Sequence, residues 1–539
     1  MALLSIIEER NRHKYGLKWQ EVIVTNQTQN DILGEVLFRD LPRKKVSAVQ
    51  GQRDKNYIEY FENNLRFSLK EFLLSSLSNC SWTLNVLHLG FGDKAYLNPI
   101  VIHILIQTPD YFTGNESAAL KVLQGMDEII HTKLNNQKLE THQQINIDIC
   151  QIRSSMLRSS DDDTDSGGVD LMYSFKDLYR MYTPCPGLSI GREDFRSTIG
   201  SLAGFLKHED DIYSLTCRHV VFPDTASQIE RYIYRDEGEM SKLNISIPAP
   251  MDHDKTLRIL RNNLKNVKTS ITVLCKDQET YNKDYSKQIN KRQEEENIFR
   301  DHIQEAENHQ TSVGYVYAAP EKLHKISTYK GFLDWSIIRN TYPAPKNMLS
   351  PATNLCHNDQ VRDFIEYMKE THEWPKNKCE EYDAKLEGLD NAERIFVKNP
   401  NSASSTLCND TIYFKPASRT FGWKACSMNG IMSIHTIQHV HNTTPETSDE
   451  YAFVGRQEGA ISTRGDSGAL IYELEACADG KTVVLTPMAM IWAGNPKGGV
   501  VLQGFDDITY ATPVDVLSRD IENEMGWDGG SLKFHQAQE

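Results

Sequence analysis

The stretch Thr463-Arg464-Gly465-Asp466-Ser467-Gly468-Ala469, just ahead of the apolar run Leu470-Ile471-Tyr472, places a serine on a glycine-flanked turn. Glycine permits backbone conformations closed to other residues and keeps side chains away from the hydroxyl. A serine that attacks a carbonyl needs this clearance. It also needs backbone N–H groups aimed at the oxygen that becomes negative, and those of Gly465 and Ser467 are the candidates. Gly, Asp and Ser are equally the residues of ordinary surface turns. The motif therefore acquires chemical meaning only if the chain also supplies a base, held by an acid, to activate the hydroxyl.

Upstream, Tyr213-Ser214-Leu215-Thr216-Cys217-Arg218-His219-Val220-Val221-Phe222 reads as a strand that delivers a histidine and continues into apolar residues. Of the 17 histidines, this one alone has that setting. Between it and the serine lies Gly331-Phe332-Leu333-Asp334-Trp335-Ser336-Ile337-Ile338, in which an aspartate is embedded in an apolar strand. Burying a carboxylate without a partner costs several kcal/mol, and an imidazole N–H is an economical partner. Separately, each has a plain structural reading: a strand histidine, a strand-end carboxylate, a turn serine.

Taken together, the order His219, Asp334, Ser467 resembles the chymotrypsin clan, whereas subtilisins run Asp-His-Ser and α/β-hydrolases Ser-Asp-His. Other stretches fit the likeness. Ser189-Ile190-Gly191 and Thr198 to Leu206 resemble the first barrel strands of trypsin-like peptidases, Met490-Ile491-Trp492-Ala493-Gly494 their substrate-binding strand, and Tyr510-Ala511-Thr512-Pro513-Val514 the strand entering the C-terminal helix. Lys415-Pro416-Ala417-Ser418-Arg419-Thr420-Phe421-Gly422-Trp423 looks like a segment of intracellular fungal trypsin-like peptidases, the family of the yeast amino-acid-sensor endoprotease. The likeness spans roughly residues 185–525 and is specific at the three motifs.

That resemblance implies a mainly β fold, a chymotrypsin-like double β-barrel, and a serine endopeptidase with His219 as base, Asp334 as its orienting acid and Ser467 as nucleophile. It implies an oxyanion hole at Gly465 and Ser467, substrate contacts at Ile461, Ser462, Ile491, Trp492 and Ala493, no metal and no cofactor. A catalytically silent scaffold on the same fold, or an esterase using the same triad, are the alternatives. The chain also departs from the pattern. Val220 stands where secreted relatives place a disulfide cysteine, Ala469 replaces a glycine, and no activation site of the Ile-Val-Gly-Gly type is visible. The partner of Asp466, which in secreted relatives is a newly exposed N-terminal amine, is left open.

The 10 cysteines form no Cys-x-x-Cys pair and no regular framework, so they read as free thiols. The N-terminal Met-Ala-Leu-Leu-Ser-Ile-Ile lacks the length and basic start of a signal peptide. No apolar run reaches the roughly 18 residues of a membrane span. A cytoplasmic location is the expectation. The net charge of -15 disfavours nucleic acid and anionic membranes as partners. A protein substrate is the partner expected.

Length predicts more than one domain. Ser154 to Gly168, polar, charged and glycine-containing, reads as a linker, so the expected division is a small α/β domain over 1–153, a linker over 154–170, the barrel domain over 171–525 and a tail over 526–539. In the first domain, Leu84–Leu89, Ile100–Ile106 and Ile145–Cys150 predict strands, the last at an accessible edge. Helical spacing marks Tyr57–Ser76 and Asn115–Asn135. This domain is expected to regulate or adapt the barrel through contacts within the chain or with a partner. His219 and Asp334 are 115 positions apart, against roughly 45 in the family; the excess holds a charged helical insertion at about 276–310. Thr371–Glu393 is a second polar insertion, and a C-terminal helix is expected from Val514.

Overall fold

The computed structural model describes residues 20–26, 45–90, 98–108, 110–135, 145–152, 185–195, 199–222, 230–235, 241–322, 324–342, 347–349, 359–372, 374–400, 407, 411–416, 423–438, 445–455, 461–462, 465–494 and 508–536. The expected linker, Ser154 to Gly168, lies outside them.

The N-terminal part comprises β1 (Gln20–Thr25), β2 (Lys45–Ser47), a helix Gly51–Tyr60 that passes through a π turn into Arg66–Ser76, β3 (Trp82–Gly90), β4 (Ile100–Ile106), a helix Glu116–Asn135 and β5 (Asn146–Ile152). Its strands lie in the order β1, β5, β4, β3, with β4 and β5 parallel and the other neighbours antiparallel. The helices place Leu69, Leu73, Leu123 and Met126 against Ile102, Ile104, Ile147 and Ile149. The α/β reading of this region holds. The expected edge strand is instead internal, since β5 sits between β1 and β4. Its polar residues alternate because they bond to neighbours rather than to water: buried Asp148 accepts from Thr25 Oγ1 at 2.6 Å.

Next come β6 (Ser189–Arg192), β7 (Gly200–Ser201), β8 (Gly204–His208), β9 (Asp211–Thr216), β10 (Tyr232–Ile233), β11 (Asn244–Ser246), β12 (Ser312–Ala319), β13 (His324–Ile326), β14 (Tyr329–Leu333) and β15 (Ser336–Asn340). Ladders run β6 to β7, β8 to β9, β9 to β15, β15 to β12, β12 to β11 and β11 back to β6. Since β7 and β8 continue one another through Leu202 and Ala203, these ladders close a barrel. The rest contains β16 (Met348–Leu349), β17 (Arg394–Val397), β18 (Ile412–Lys415), β19 (Lys424–Met428), β20 (Ser433–Ile437), β21 (Glu446–Val454), β22 (Leu470–Ala476), β23 (Thr482–Gly494), β24 (Ile508–Pro513) and β25 (Lys533–Phe534). A second ring closes through β18, β19, β21, β24, β23 and β22. The fold is mainly β, a chymotrypsin-like double β-barrel with helical additions. The helix Val514–Met525 begins where expected, and the tail beyond it adds β25 to β8.

The charged insertion is larger than the sequence marked. It is a hairpin of two helices, Pro250–Tyr281 and Ser286–Asn308, closed over Leu260, Val267, Phe299 and Ala306. Charge density drew attention to its solvated half, whereas its sparse apolar seam begins earlier. The second insertion likewise forms two helices, Asp359–His372 and Lys376–Asp390.

One junction was not foreseen. β20 extends beyond the second barrel and pairs antiparallel with β3, so the N-terminal sheet and the barrel sheet are continuous. Val46, Leu87 and Leu89 pack there on Val454, Ile508 and Tyr510. Buried Asn429 fastens the seam, accepting from Val49 N at 2.8 Å and donating to Val86 O at 3.0 Å.

Candidate active site

Asp334 does not lie within a strand. It occupies, with Trp335, the break between β14 and β15, and its neighbours are anchored on both sides. Before it, Phe332 N donates to buried Glu450 at 2.8 Å and Phe332 O accepts from Thr512 Oγ1 at 3.3 Å, both from the second barrel. After it, the Trp335 indole donates to Asp520 of the C-terminal helix at 2.6 Å and Ser336 Oγ to Ala318 O at 3.2 Å. The apolar run around Asp334 is thus the core of two strands, with the carboxylate at their hinge.

His219 also departs from the strand reading. β9 ends at Thr216, and Arg218–Val221 form a single helical turn. Val220 and Val221 are buried on that turn and Phe222 directly after it, rather than along a strand. Arg218 Nε donates to Pro320 O at 2.8 Å, which fixes the turn against the first barrel. In this position the His219 ring Nδ1 bonds Asp334 Oδ2, and the His219 backbone N–H donates to Asp334 Oδ1 at 3.1 Å. Burial alone would push the Asp334 carboxyl up, but the His219 ring, its backbone N–H and Arg218 together hold it below the usual carboxylate range.

The Ser467 turn is tied to the same place. Gly465 and Gly468 both have φ of +96°, a conformation L side chains rarely adopt. A Cβ on Gly468 would lie 2.1 Å from Ser201 O. Ser201 stitches the turn to the first barrel: its N–H donates to Ser467 O at 2.7 Å and its hydroxyl to Gly465 O at 2.9 Å. Its carbonyl accepts from Thr216 Oγ1, three residues before His219, at 2.9 Å. Gly200 separates the two segments, since a Cβ there would meet Val220 Cγ2 at 2.3 Å and Ser467 O at 2.8 Å. Ile491 O adds a further tie, accepting from Gly468 N at 2.7 Å and from Cys217 Sγ at 3.2 Å. His219, Asp334 and Ser467 are therefore carried on segments that the barrels interlock, and Ser467 is half-exposed.

Asp466, whose partner the sequence left open, is fully buried and pairs with Lys415 Nζ at 3.2 Å. Lys415 is equally buried, at the end of β18. The sequence signal for this pairing is a lysine that closes an otherwise apolar strand.

Of the expected substrate contacts, Ile461 is buried, and Ser462 Oγ bonds Thr509 Oγ1 at 2.7 Å. Ile491 is turned inward: besides the bonds to its carbonyl, its N–H donates to Ala469 O at 2.9 Å. The β23 and β24 register shifts around Trp492, which stands edge-to-face with Phe332 at 6.3 Å, two residues from Asp334. Ala493 pairs with Tyr510 and Gly494 with Thr509.

Two groups of side chains have ligand atoms close enough to share a metal ion, among the described residues. In Cys217, His219 and Asp334, burial pushes the thiol well above its ordinary value, which opposes the thiolate a metal requires. In His324, Asp520 and Glu524, the Asp520 carboxylate is already engaged by Trp335 and by His324 Nε2 at 3.2 Å. No helix among the described residues is long and apolar enough to cross a membrane.

No protein-family model matches the chain, and no curated protein matches it. Among solved structures, the crystal structure of Thermobifida fusca Protease A is similar over 66% of this chain and 98% of its own, at 10% identity and a TM-score of 0.27.

Proposed function

We propose that the chain is a serine endopeptidase working through an acyl-enzyme, with His219, Asp334 and Ser467 as its triad. The observation that carries this reading is the double contact of Asp334 with His219, through ring and backbone. A carboxylate at Nδ1 assigns the ring proton there, leaving Nε2 as the nitrogen with a lone pair to receive a proton. In the proposed cycle Ser467 Oγ attacks the peptide carbonyl as its proton passes to His219 Nε2. The same proton then goes to the leaving amine as the scissile C–N bond breaks, and water hydrolyses the ester by the reverse route. Gly465 and Ser467 N–H groups would stabilise the oxyanion.

Substrate backbone would lie along Trp492, Ala493 and Gly494, with Ile461 and Ser462 at the base of the pocket for the residue before the scissile bond. The Lys415–Trp423 likeness supports the finer placement, an intracellular peptidase of the fungal trypsin-like kind performing limited proteolysis of cytoplasmic protein substrates without a cofactor. Reaction with a fluorophosphonate probe and turnover of a peptide library test the proposal on wild type, Ser467→Ala and His219→Ala. Residual hydrolysis above about a hundredth of wild type in either variant would overturn the triad, whose loss costs on the order of 10⁴. Labelling without peptide turnover would point to an esterase, and no labelling of the folded chain to a silent scaffold.

A further inference from the structure

Beside Ser467 lies an ion pair that the proposed triad does not use. Asp466 is 0% exposed and Lys415 1%, with 3.2 Å between Lys415 Nζ and the carboxylate. A charge buried this deeply is costly unless it is paired, and removing one partner takes away the counter-charge of the other. The position matters as much as the cost. Asp466 joins Gly465 to Ser467, and its carbonyl accepts Ala469 N–H at 2.8 Å, so this residue closes the turn that presents the serine. If its carboxylate had to seek water, the peptide groups on either side would rotate with it, and the N–H groups of Gly465 and Ser467 would lose their direction.

Resting on the peptidase reading above, we infer that Lys415 is a positioning residue that sets the Ser467 turn and its oxyanion-facing N–H groups in the uncut chain, so that the site is assembled without any newly made N-terminal amine. The lysine is fixed by the barrel itself. Lys415 pairs with Lys424 across β19, and its neighbour Phe414 pairs with Tyr472 on β22, the strand that leaves the serine turn. The counter-charge therefore arrives with the folding of the second barrel.

The test uses the full chain and three variants: Lys415→Met, Asp466→Asn and the double variant. Intact-mass measurement after fluorophosphonate labelling shows whether the uncut chain reacts, and steady-state kinetics separate kcat from KM. The expected result is labelling of uncut wild type. Lys415→Met should lose about 100-fold or more in kcat, the scale of one oxyanion donor, with KM changed severalfold at most. The double variant should recover at least tenfold of that loss, because neutralising both partners removes the uncompensated charge. The urea midpoint and circular dichroism of Lys415→Met separate positioning from a plain folding defect, since positioning requires the kcat loss in a chain that is still folded at the assay temperature. If wild type labels only after N-terminal cleavage, or Lys415→Met turns over like wild type, or the double variant is no better than Lys415→Met, the inference is wrong. If wild type never labels in either form, the peptidase reading fails instead.

Discussion

Gly468→Ala should cost far more than its single methyl group implies. Two penalties add at this position. At φ of +96° a residue with a Cβ pays roughly 1–2 kcal/mol. The new Cβ would also lie 2.1 Å from Ser201 O and 2.7 Å from Thr216 Oγ1. Neither oxygen has room to retreat, because they are hydrogen-bonded to each other at 2.9 Å and Ser201 N is held by Ser467 O at 2.7 Å. Relieving the clash must break at least one of these buried bonds, roughly 1–3 kcal/mol more. The total is about 2–5 kcal/mol, a large share of the roughly 5–15 kcal/mol that holds a typical native protein. Gly480 supplies the control: its φ is +63° and a Cβ would meet nothing within 4 Å, so Gly480→Ala should cost about 1 kcal/mol. Urea unfolding followed by tryptophan fluorescence, with fluorophosphonate labelling of each variant, measures both effects. If Gly468→Ala lowers the midpoint no further than Gly480→Ala, the interlocking of the serine turn with Ser201 and Thr216 is refuted.

Burial pushes the Glu450 carboxyl up to about 8, so the folded chain holds a proton that the unfolded chain releases near 4.3. Stability should fall as pH rises between those values, and Glu450→Gln, which retains an acceptor for Phe332 N, should gain on wild type from pH 5 to 8; a constant difference in urea midpoint across that range would count against it. A chain beginning near Val169 should lose cooperative unfolding, because β20 loses β3 and the face formed by Val454, Ile508 and Tyr510 loses its cover; a folded, faster truncated enzyme would instead reveal an inhibitory N-terminal domain. Peptide-library cleavage should favour an uncharged residue before the scissile bond, since buried Ile461 offers no counter-charge to a guanidinium; rapid cleavage after Arg or Lys would refute that.

Much of this protein was legible in its sequence, where chemistry is written in short stretches. The glycines around Ser467 announced a turn, the β-α-β order before residue 153 an α/β unit, and the resemblance of the three motifs to the chymotrypsin clan implied the double barrel behind it; the apolar flanks of Asp334 announced packed surroundings for an acid that is itself only partly buried. What escaped was of two kinds. Local shape was misjudged at His219 and Asp334, because an apolar run looks the same whether it continues a strand, turns once as a helix at Arg218–Val221, or hinges at Asp334–Trp335. Partnerships across the fold left no local trace. That Asp466 would find Lys415, that Ile491 would turn inward to Gly468 and Cys217, and that β3 would extend the second barrel through β20 all depend on which distant backbone groups the closed ladders bring within hydrogen-bond reach. A single chain carries no periodicity that encodes such meetings; they are fixed when two barrels close and their buried charges and edge strands must find partners or pay the full cost of desolvation.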